Sequence, residues 1–289
     1  MAYDYKYFMG EFCDYGSAKV VVLPVPFERS TSYMRGTAAG PAAIIAASYN
    51  VELYDLQLDD APYRYRIHTF PSFQFSDDLP IDGAINQIEQ ATTAILQDNK
   101  FPVVLGGEHT LSYSVFCALN KYHPNLSVLH LDAHTDLRDQ YLDDPFSHAC
   151  VMRRIREYTK NIVSIGIRSV SPEEVDYIKQ ERPIIFYDHQ IRTAPLPIEQ
   201  ILSALSENVF ITFDLDAISP AELPSVGTPE PGGLNWYQVA DLFEAVFAYK
   251  NVVGFDVVEL KPDGINVHSD FWAAKMIYKM IGLKLKGRR

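Results

Sequence analysis

Cysteine is scarce in this 289-residue chain. Cys13, Cys117 and Cys150 stand far apart and form no C-x-x-C pair. That excludes a disulfide framework and suits a reducing compartment. No stretch reaches the roughly 18 consecutive apolar residues of a membrane-spanning helix. The opening residues MAYDYKYFMGEFCDYG mix acids with aromatics and lack the basic-then-apolar order of a secretory leader, so a cytoplasmic protein is expected. Positive charge is also short. Lys and Arg total 25 against 37 Asp and Glu, a net charge of −12 that works against nucleic-acid or anionic-membrane binding. The same excess would favour a small cationic ligand, although an acidic surface serves solubility alone just as well. There is no internal repeat, low-complexity tract or Gly/Ser linker, so one domain over 1–289 is expected.

What is present is a strand–helix rhythm. With 47% hydrophobic and 21% charged residues, the chain can bury a large core. Continuous apolar, β-rich runs fall at Lys19–Val25, Pro102–Leu105, Ser127–Leu131, Ile162–Ile167, Pro183–Tyr187, Val209–Leu215 and Val252–Val258. Continuous rather than alternating runs suit strands covered on both faces. Helical spacing fills Ala84–Gln97, Thr110–Asn120, Glu173–Gln180, Ile198–Leu205 and Tyr237–Ala248. The alternation predicts an α/β fold with a mostly parallel sheet sandwiched between helices. Proline-rich patches at Ala194–Pro197 and Leu223–Pro231 read as loops within that rhythm.

Ligands in such a sheet bind beyond the carboxyl ends of its strands. There the sequence collects metal-binding residue types: His109 after Gly106-Gly107-Glu108, the run Asp132-Ala133-His134-Thr135-Asp136, and Asp214-Leu215-Asp216. The glycines permit a sharp turn and a close backbone approach. Side chains two apart on extended backbone share a face, so Asp132, His134 and Asp136 can converge, and so can Asp214 with Asp216. Alone, a D-x-H or D-x-D is more often a turn or a helix cap, and a lone histidine more often a satisfied core residue. Three such motifs, each directly after a buried-strand pattern, point instead to a metal centre. Four aspartates would balance two divalent ions; without metal they would repel each other and hold protons. The set has no thiolate and is rich in carboxylate, which suits Mn²⁺, with Fe²⁺, Co²⁺ or Zn²⁺ as substitutes.

G-G-E-H (106–109), D-A-H-T-D (132–136) and F-D-L-D (213–216) resemble the signatures of the ureohydrolase family, which includes arginase and agmatinase. The likeness extends through P-V-P-F-E (24–28), G-T-A-A-G-P (36–41), G-T-P-E-P-G-G-L (227–234) and F-D-V-V-E-L-K-P (255–262). It implies a three-layer α/β/α sandwich on a parallel sheet of about eight strands, two Mn²⁺ per subunit, and a homotrimer or homohexamer. Carried over by position, His109 and Asp136 would hold one ion and His134 and Asp216 the other, with Asp132 and Asp214 bridging both.

His148 matches the family's proton-transfer histidine and Glu259 the acid that grips a guanidinium. A planar, permanently charged guanidinium is matched by a carboxylate, and Glu259 at an apolar strand end needs a cationic partner. A salt bridge from Glu259 to Lys261 or an arginine would meet that need as well. His148 is expected to titrate near neutrality and hand a proton to the leaving amine. Asp136 would take the remaining proton of the attacking water. One departure stands out: the family reads D-x-D-x-x-D-P, and here the third acid is Ser219, which puts the local loop and its hydrogen bonds in question.

D-L-R-D (136–139) with S-H-A-C (147–150) resembles the agmatinase branch, whereas arginases tend to carry asparagine where Arg138 stands. Hydrolysis of agmatine to putrescine and urea is therefore expected, with the acids Asp143 and Asp144 attracting the substrate's ammonium. N1-aminopropylagmatine, guanidinobutyrate and arginine are the alternative substrates. A family member that binds such ligands without catalysis, and a metallohydrolase of another bond, are the readings from other classes.

Overall fold

The computed structural model describes residues 5–76, 78–191 and 195–287. Eight strands form one parallel sheet: β1 (Val20–Val25), β2 (Ile67–Thr69), β3 (Phe101–Gly106), β4 (Ser127–Leu131), β5 (Ile162–Ile167), β6 (Ile184–Tyr187), β7 (Asn208–Asp214) and β8 (Asn251–Val258). Their order is β2-β1-β3-β8-β7-β4-β5-β6. Seven of them answer the apolar runs to within a residue or two. In β1, β3, β4 and β5 every residue is buried, as continuous apolar runs demand when helices cover both faces.

Alternate strand residues feed two separate cores. Val20, Val22, Val103, Leu105, Leu129 and Leu131 join one, and Val21, Leu23, Val25, Val104 and Val128 join the other. The two cores make the three layers of the α/β/α sandwich. Helices Gly40–Ser48, Trp236–Tyr249 and Val267–Lys286 contribute to the first; Ile81–Gln97, Leu111–Tyr122 and Val151–Ile155 to the second. The proline-rich stretch expected as a loop at Ala194–Pro197 lies partly outside the described residues; its described part, 195–197, is loop.

The four central strands stand in the order β3, β8, β7, β4. Each parts from its successor in sequence by a helix, and their carboxyl ends open on the same edge. Those four ends carry His109, Glu259, Asp214 with Asp216, and Asp132 to Asp136.

Candidate metal centre

The turn after β3 sets the first ligand. Neither Gly106 nor Gly107 adopts a positive φ; both are glycine because there is no room for a side chain. A Cβ on Gly107 would stand 2.1 Å from the Phe27 carbonyl oxygen, and one on Gly106 would stand 2.3 Å from Leu111 Cδ2. The close approach lets Gly107 N–H donate to Val25 and Glu108 N–H donate to Phe27. It delivers His109, almost wholly buried, into the centre of the cluster.

All six predicted ligand residues meet. His109 Nδ1 lies 3.2 Å from Asp132 Oδ2, 3.1 Å from Asp136 Oδ2 and 3.3 Å from Asp214 Oδ2. His134 Nδ1 lies 3.0 Å from Asp216 Oδ2 and 3.4 Å from Asp132 Oδ1. Asp132 thus turns one oxygen toward each imidazole. The residues converge differently from the expectation of strand alternation. β4 ends at Leu131, Asp136 adopts φ +50°, and Asp216 sits in a single 3-10 turn, Leu215–Ala217. Tight turns place these side chains. Amides hold the carboxylates: His134 N–H donates to Asp132 Oδ1 at 2.5 Å, Ala133 N–H to Asp216 Oδ1 at 3.0 Å, and Asp216 N–H to Asp214 Oδ1 at 2.8 Å.

The electrostatics are those of buried anions crowded together. Burial, then the Asp216 and Asp132 charges, hold the Asp214 carboxyl well above the usual range. Burial and Asp132 push Asp136 up to about 6. Burial also opposes charge on Asp132, but His109 and His130 outweigh it and hold that carboxyl well down. Burial opposes charge on His109 too, yet Asp132, Asp136 and Asp214 raise it well above an ordinary imidazole. His109 Nδ1 is buried and makes no well-formed hydrogen bond, although three carboxylate oxygens surround it. Its Nε2 is 2.9 Å from Thr212 Oγ1, whose own proton goes to Ser112 Oγ. In the neutral imidazole that a metal ion requires, Nε2 therefore carries the ring proton and the Nδ1 lone pair is aimed into the carboxylates. An orphaned imidazole lone pair amid converging carboxylate oxygens is the donor set that a divalent ion takes.

Beside the cluster opens a cleft of about 220 Å³, lined among others by Glu259, Thr228, His148, Arg138 and Tyr33. Glu259 follows β8 at φ +66° and accepts His109 N–H at 2.7 Å. Burial, then the neighbouring Glu108, drive its carboxyl well up. Among the described residues no lysine or arginine pairs with it, so the salt bridge to Lys261 weighed from the sequence is not formed. His148 also faces the cleft. Burial, then the positive charge of His134 and His109, push it down to about 4, which corrects the expectation of titration near neutrality: the ring is too dry to charge there. Asp143 and Asp144 do not line the cleft; Asp144 accepts Phe146 N–H and closes a turn with Tyr141.

A family model described as the Arginase family matches residues 18–282. The chain belongs to the arginase family. It is 36% identical to the N(1)-aminopropylagmatine ureohydrolase of Synechocystis sp., over 93% of this chain and 90% of that protein. It is 32% identical to the agmatinase of Bacillus cereus, over 97% of each. The crystal structure of agmatine ureohydrolase of Thermoplasma volcanium superposes with a TM-score of 0.88 at 32% identity, covering 97% of this chain and 94% of that one. The chain is accordingly an arginase-family hydrolase with the fold of these enzymes.

Around this arginase-family centre lie supports that sequence reasoning did not single out. His130, fully buried on β4, holds Asp132. Glu174 accepts Thr135 Oγ–H and Leu137 N–H and so grips the D-A-H-T-D turn. Thr228 Oγ–H donates to Asp216 Oδ2 at 3.1 Å. Arg168 donates to the carbonyls of Asp216 (2.6 Å), Glu230 (3.0 Å) and Pro231 (3.2 Å), clamping the Asp216 turn against the loop after it. Ser219, where the family has an acid, accepts Ala221 N–H and donates its own N–H to Leu234. The loop geometry put in question by that serine is thus held by Arg168 and backbone bonds. Each of these supports is a common residue type distant in sequence from what it holds, and no local pattern marks it.

Proposed function

We propose that this chain hydrolyses a terminal guanidinium on a linear amine, agmatine to putrescine and urea, using two Mn²⁺ ions. The observation that carries this reading is Asp132, with one oxygen toward His109 and the other toward His134. A carboxylate so placed would help hold two ions. His109 and Asp136 would complete one ion's set, His134 and Asp216 the other's, with Asp214 as second bridge. Two divalent ions held there would lower the pKa of a shared water and supply a nucleophile at neutral pH.

The chain's own groups do the rest. Glu259 ionises against the guanidinium, which relieves its buried carboxyl and turns the carbon of that group toward the cluster. Asp136 takes the remaining proton of the attacking oxygen. His148, a neutral ring, receives that proton on the nitrogen facing the cleft and passes it to the departing nitrogen. The C–N bond breaks as the amine leaves neutral.

N1-aminopropylagmatine is the second reading, favoured by 36% and 37% identity to ureohydrolases of that compound from Synechocystis and Thermus, against 32% to the agmatinases and to a further such ureohydrolase from Thermococcus. One ureohydrolase-like domain over 1–289, a homotrimer or homohexamer and a cytoplasmic location belong to the same proposal. In support, one sheet draws strands from residue 20 to residue 258, and no helix among the described residues is long and apolar enough to cross a membrane.

The test is urea release by manganese-loaded protein offered agmatine, N1-aminopropylagmatine, arginine and guanidinobutyrate, with Asp132→Ala and Asp214→Ala beside the parent. Cleavage of a cationic amine substrate, lost in both variants with their metal, is expected. Failure to release urea from any of the four would favour a non-catalytic binding protein, and near-parental turnover in either variant would refute the bridging roles.

A further inference from the structure

Three segments far apart in sequence meet behind His148. Glu108, fully buried directly after Gly107, accepts the amides of Arg29 and Ser30 on Oε2, each at 2.6 Å. Its Oε1 accepts the Ser30 hydroxyl at 2.9 Å. Ser30 Oγ in turn accepts the backbone N–H of His148 at 2.9 Å and lies 3.1 Å from His148 Nδ1. A serine hydroxyl has one proton and two lone pairs. The proton goes to Glu108 and one lone pair to the His148 amide, so the remaining lone pair faces Nδ1.

We propose that Ser30, oriented by Glu108, fixes His148 in the tautomer that carries its proton on Nδ1 and presents the Nε2 lone pair to the cleft. An oxygen whose only proton is committed cannot donate to Nδ1, so Nδ1 must bring the proton itself. The other polar atoms nearby are weaker partners: Ser147 Oγ is 3.3 Å from Nδ1, Thr110 Oγ1 is 3.4 Å from Ser30 Oγ, and Ser32 Oγ is 3.4 Å from Nε2. Tyr141 meets the imidazole edge-on, at 87° with centroids 5.9 Å apart, and sets the plane of the ring. Ser30 and Glu108 are positioning residues. A nitrogen that receives and passes a proton needs its lone pair on the substrate side, and the opposite tautomer offers an N–H there instead. The catalytic consequence rests on the role proposed above for His148; the tautomer itself does not.

The experiment reads the tautomer directly. The full chain, labelled with ¹⁵N-histidine and loaded with diamagnetic Zn²⁺, is examined by long-range ¹H–¹⁵N correlation, with His148→Asn used to assign the signal. The parent is expected to show a protonated Nδ1 and an unprotonated Nε2. Glu108→Gln turns the acceptor at Oε1 into a donor, frees the Ser30 proton for Nδ1, and should invert the pattern. Ser30→Ala should release the ring into the Nε2–H form or a mixture and lower kcat roughly tenfold or more, with KM little changed, and Ser30→Thr should restore both. A parent with its proton on Nε2, or a pattern that neither Glu108→Gln nor Ser30→Ala changes, would overturn the proposal. An Nδ1–H tautomer together with full turnover in His148→Asn would uphold the relay and refute the catalytic role of His148 alone.

Discussion

His130 Nε2 lies 2.8 Å from Asp132 Oδ2, the same oxygen that faces His109. The other ring nitrogen of His130 is 3.0 Å from Ser164 Oγ. By distance alone His130, His109 and Asp132 form a ligand cluster. Both nitrogens of His130 are nevertheless engaged, so it acts on a metal through Asp132 and not by ligation. Outer hydrogen bonds of this kind orient a ligating carboxylate, and their loss typically costs about 10- to 100-fold in metal affinity. His130→Phe keeps the ring volume and removes the bond. Chelator competition should show Mn²⁺ affinity weakened by roughly that factor, with the far-UV circular dichroism of the parent. Parental affinity in His130→Phe would show that the bond orients nothing.

Much of this centre was legible because buried parallel strands write themselves as continuous apolar runs and metal sites collect residue types that a core rejects. Other parts left no such trace. β2 is three residues long at the sheet edge, too short for a pattern. Helix Val267–Lys286 buries Trp272, Ala274, Met276, Ile277, Met280 and Ile281, and a helix covered on most sides loses the periodicity that would betray it. Strand alternation anticipated that these residues converge but not how, since Asp136 is turned inward by left-handed backbone that a side-chain spacing argument does not foresee, as is Glu259 after β8.

Arg168 offers its planar fork to neutral carbonyls on two segments, the Asp216 turn and residues 230–231. A lysine has one compact ammonium and cannot span both. Arg168→Lys is expected to lose roughly 1 kcal/mol in urea denaturation, because part-buried carbonyls are left without donors. Manganese affinity should fall with it, since Asp216 hangs on that turn. Equal denaturation midpoints for the two proteins would mean that backbone bonds alone hold the turn.

Gly107 tests whether close approach, rather than backbone freedom, explains the glycine pair. Its φ is one that alanine adopts, yet the added Cβ would sit 2.1 Å from a backbone oxygen. Backbone cannot yield as a side-chain tip can. Gly107→Ala should therefore destabilise the fold by roughly 3 kcal/mol or more and displace His109, measured as a lower thermal midpoint and weaker metal binding. A thermal midpoint unchanged in Gly107→Ala would show that the Phe27 strand end moves freely.

The pH dependence of the metal-free chain follows from His148. An unfolded histidine titrates near 6.5, whereas burial, then the His134 and His109 charges, hold the folded ring at about 4. As pH falls below about 6.5 the unfolded chain binds the proton first, so this group's contribution is intact at pH 7 and is lost progressively down to about 4. Asparagine has nothing to titrate. In urea denaturation of chelator-treated protein at pH 7, 6 and 5, His148→Asn should lose less stability than the parent across that interval, while protons taken up by the aspartate cluster act on both proteins alike. The difference between the two should shrink, or reverse, as the medium becomes more acid. Strictly parallel curves would mean that His148 titrates folded as it does unfolded, and that the dryness of its pocket does not set its charge.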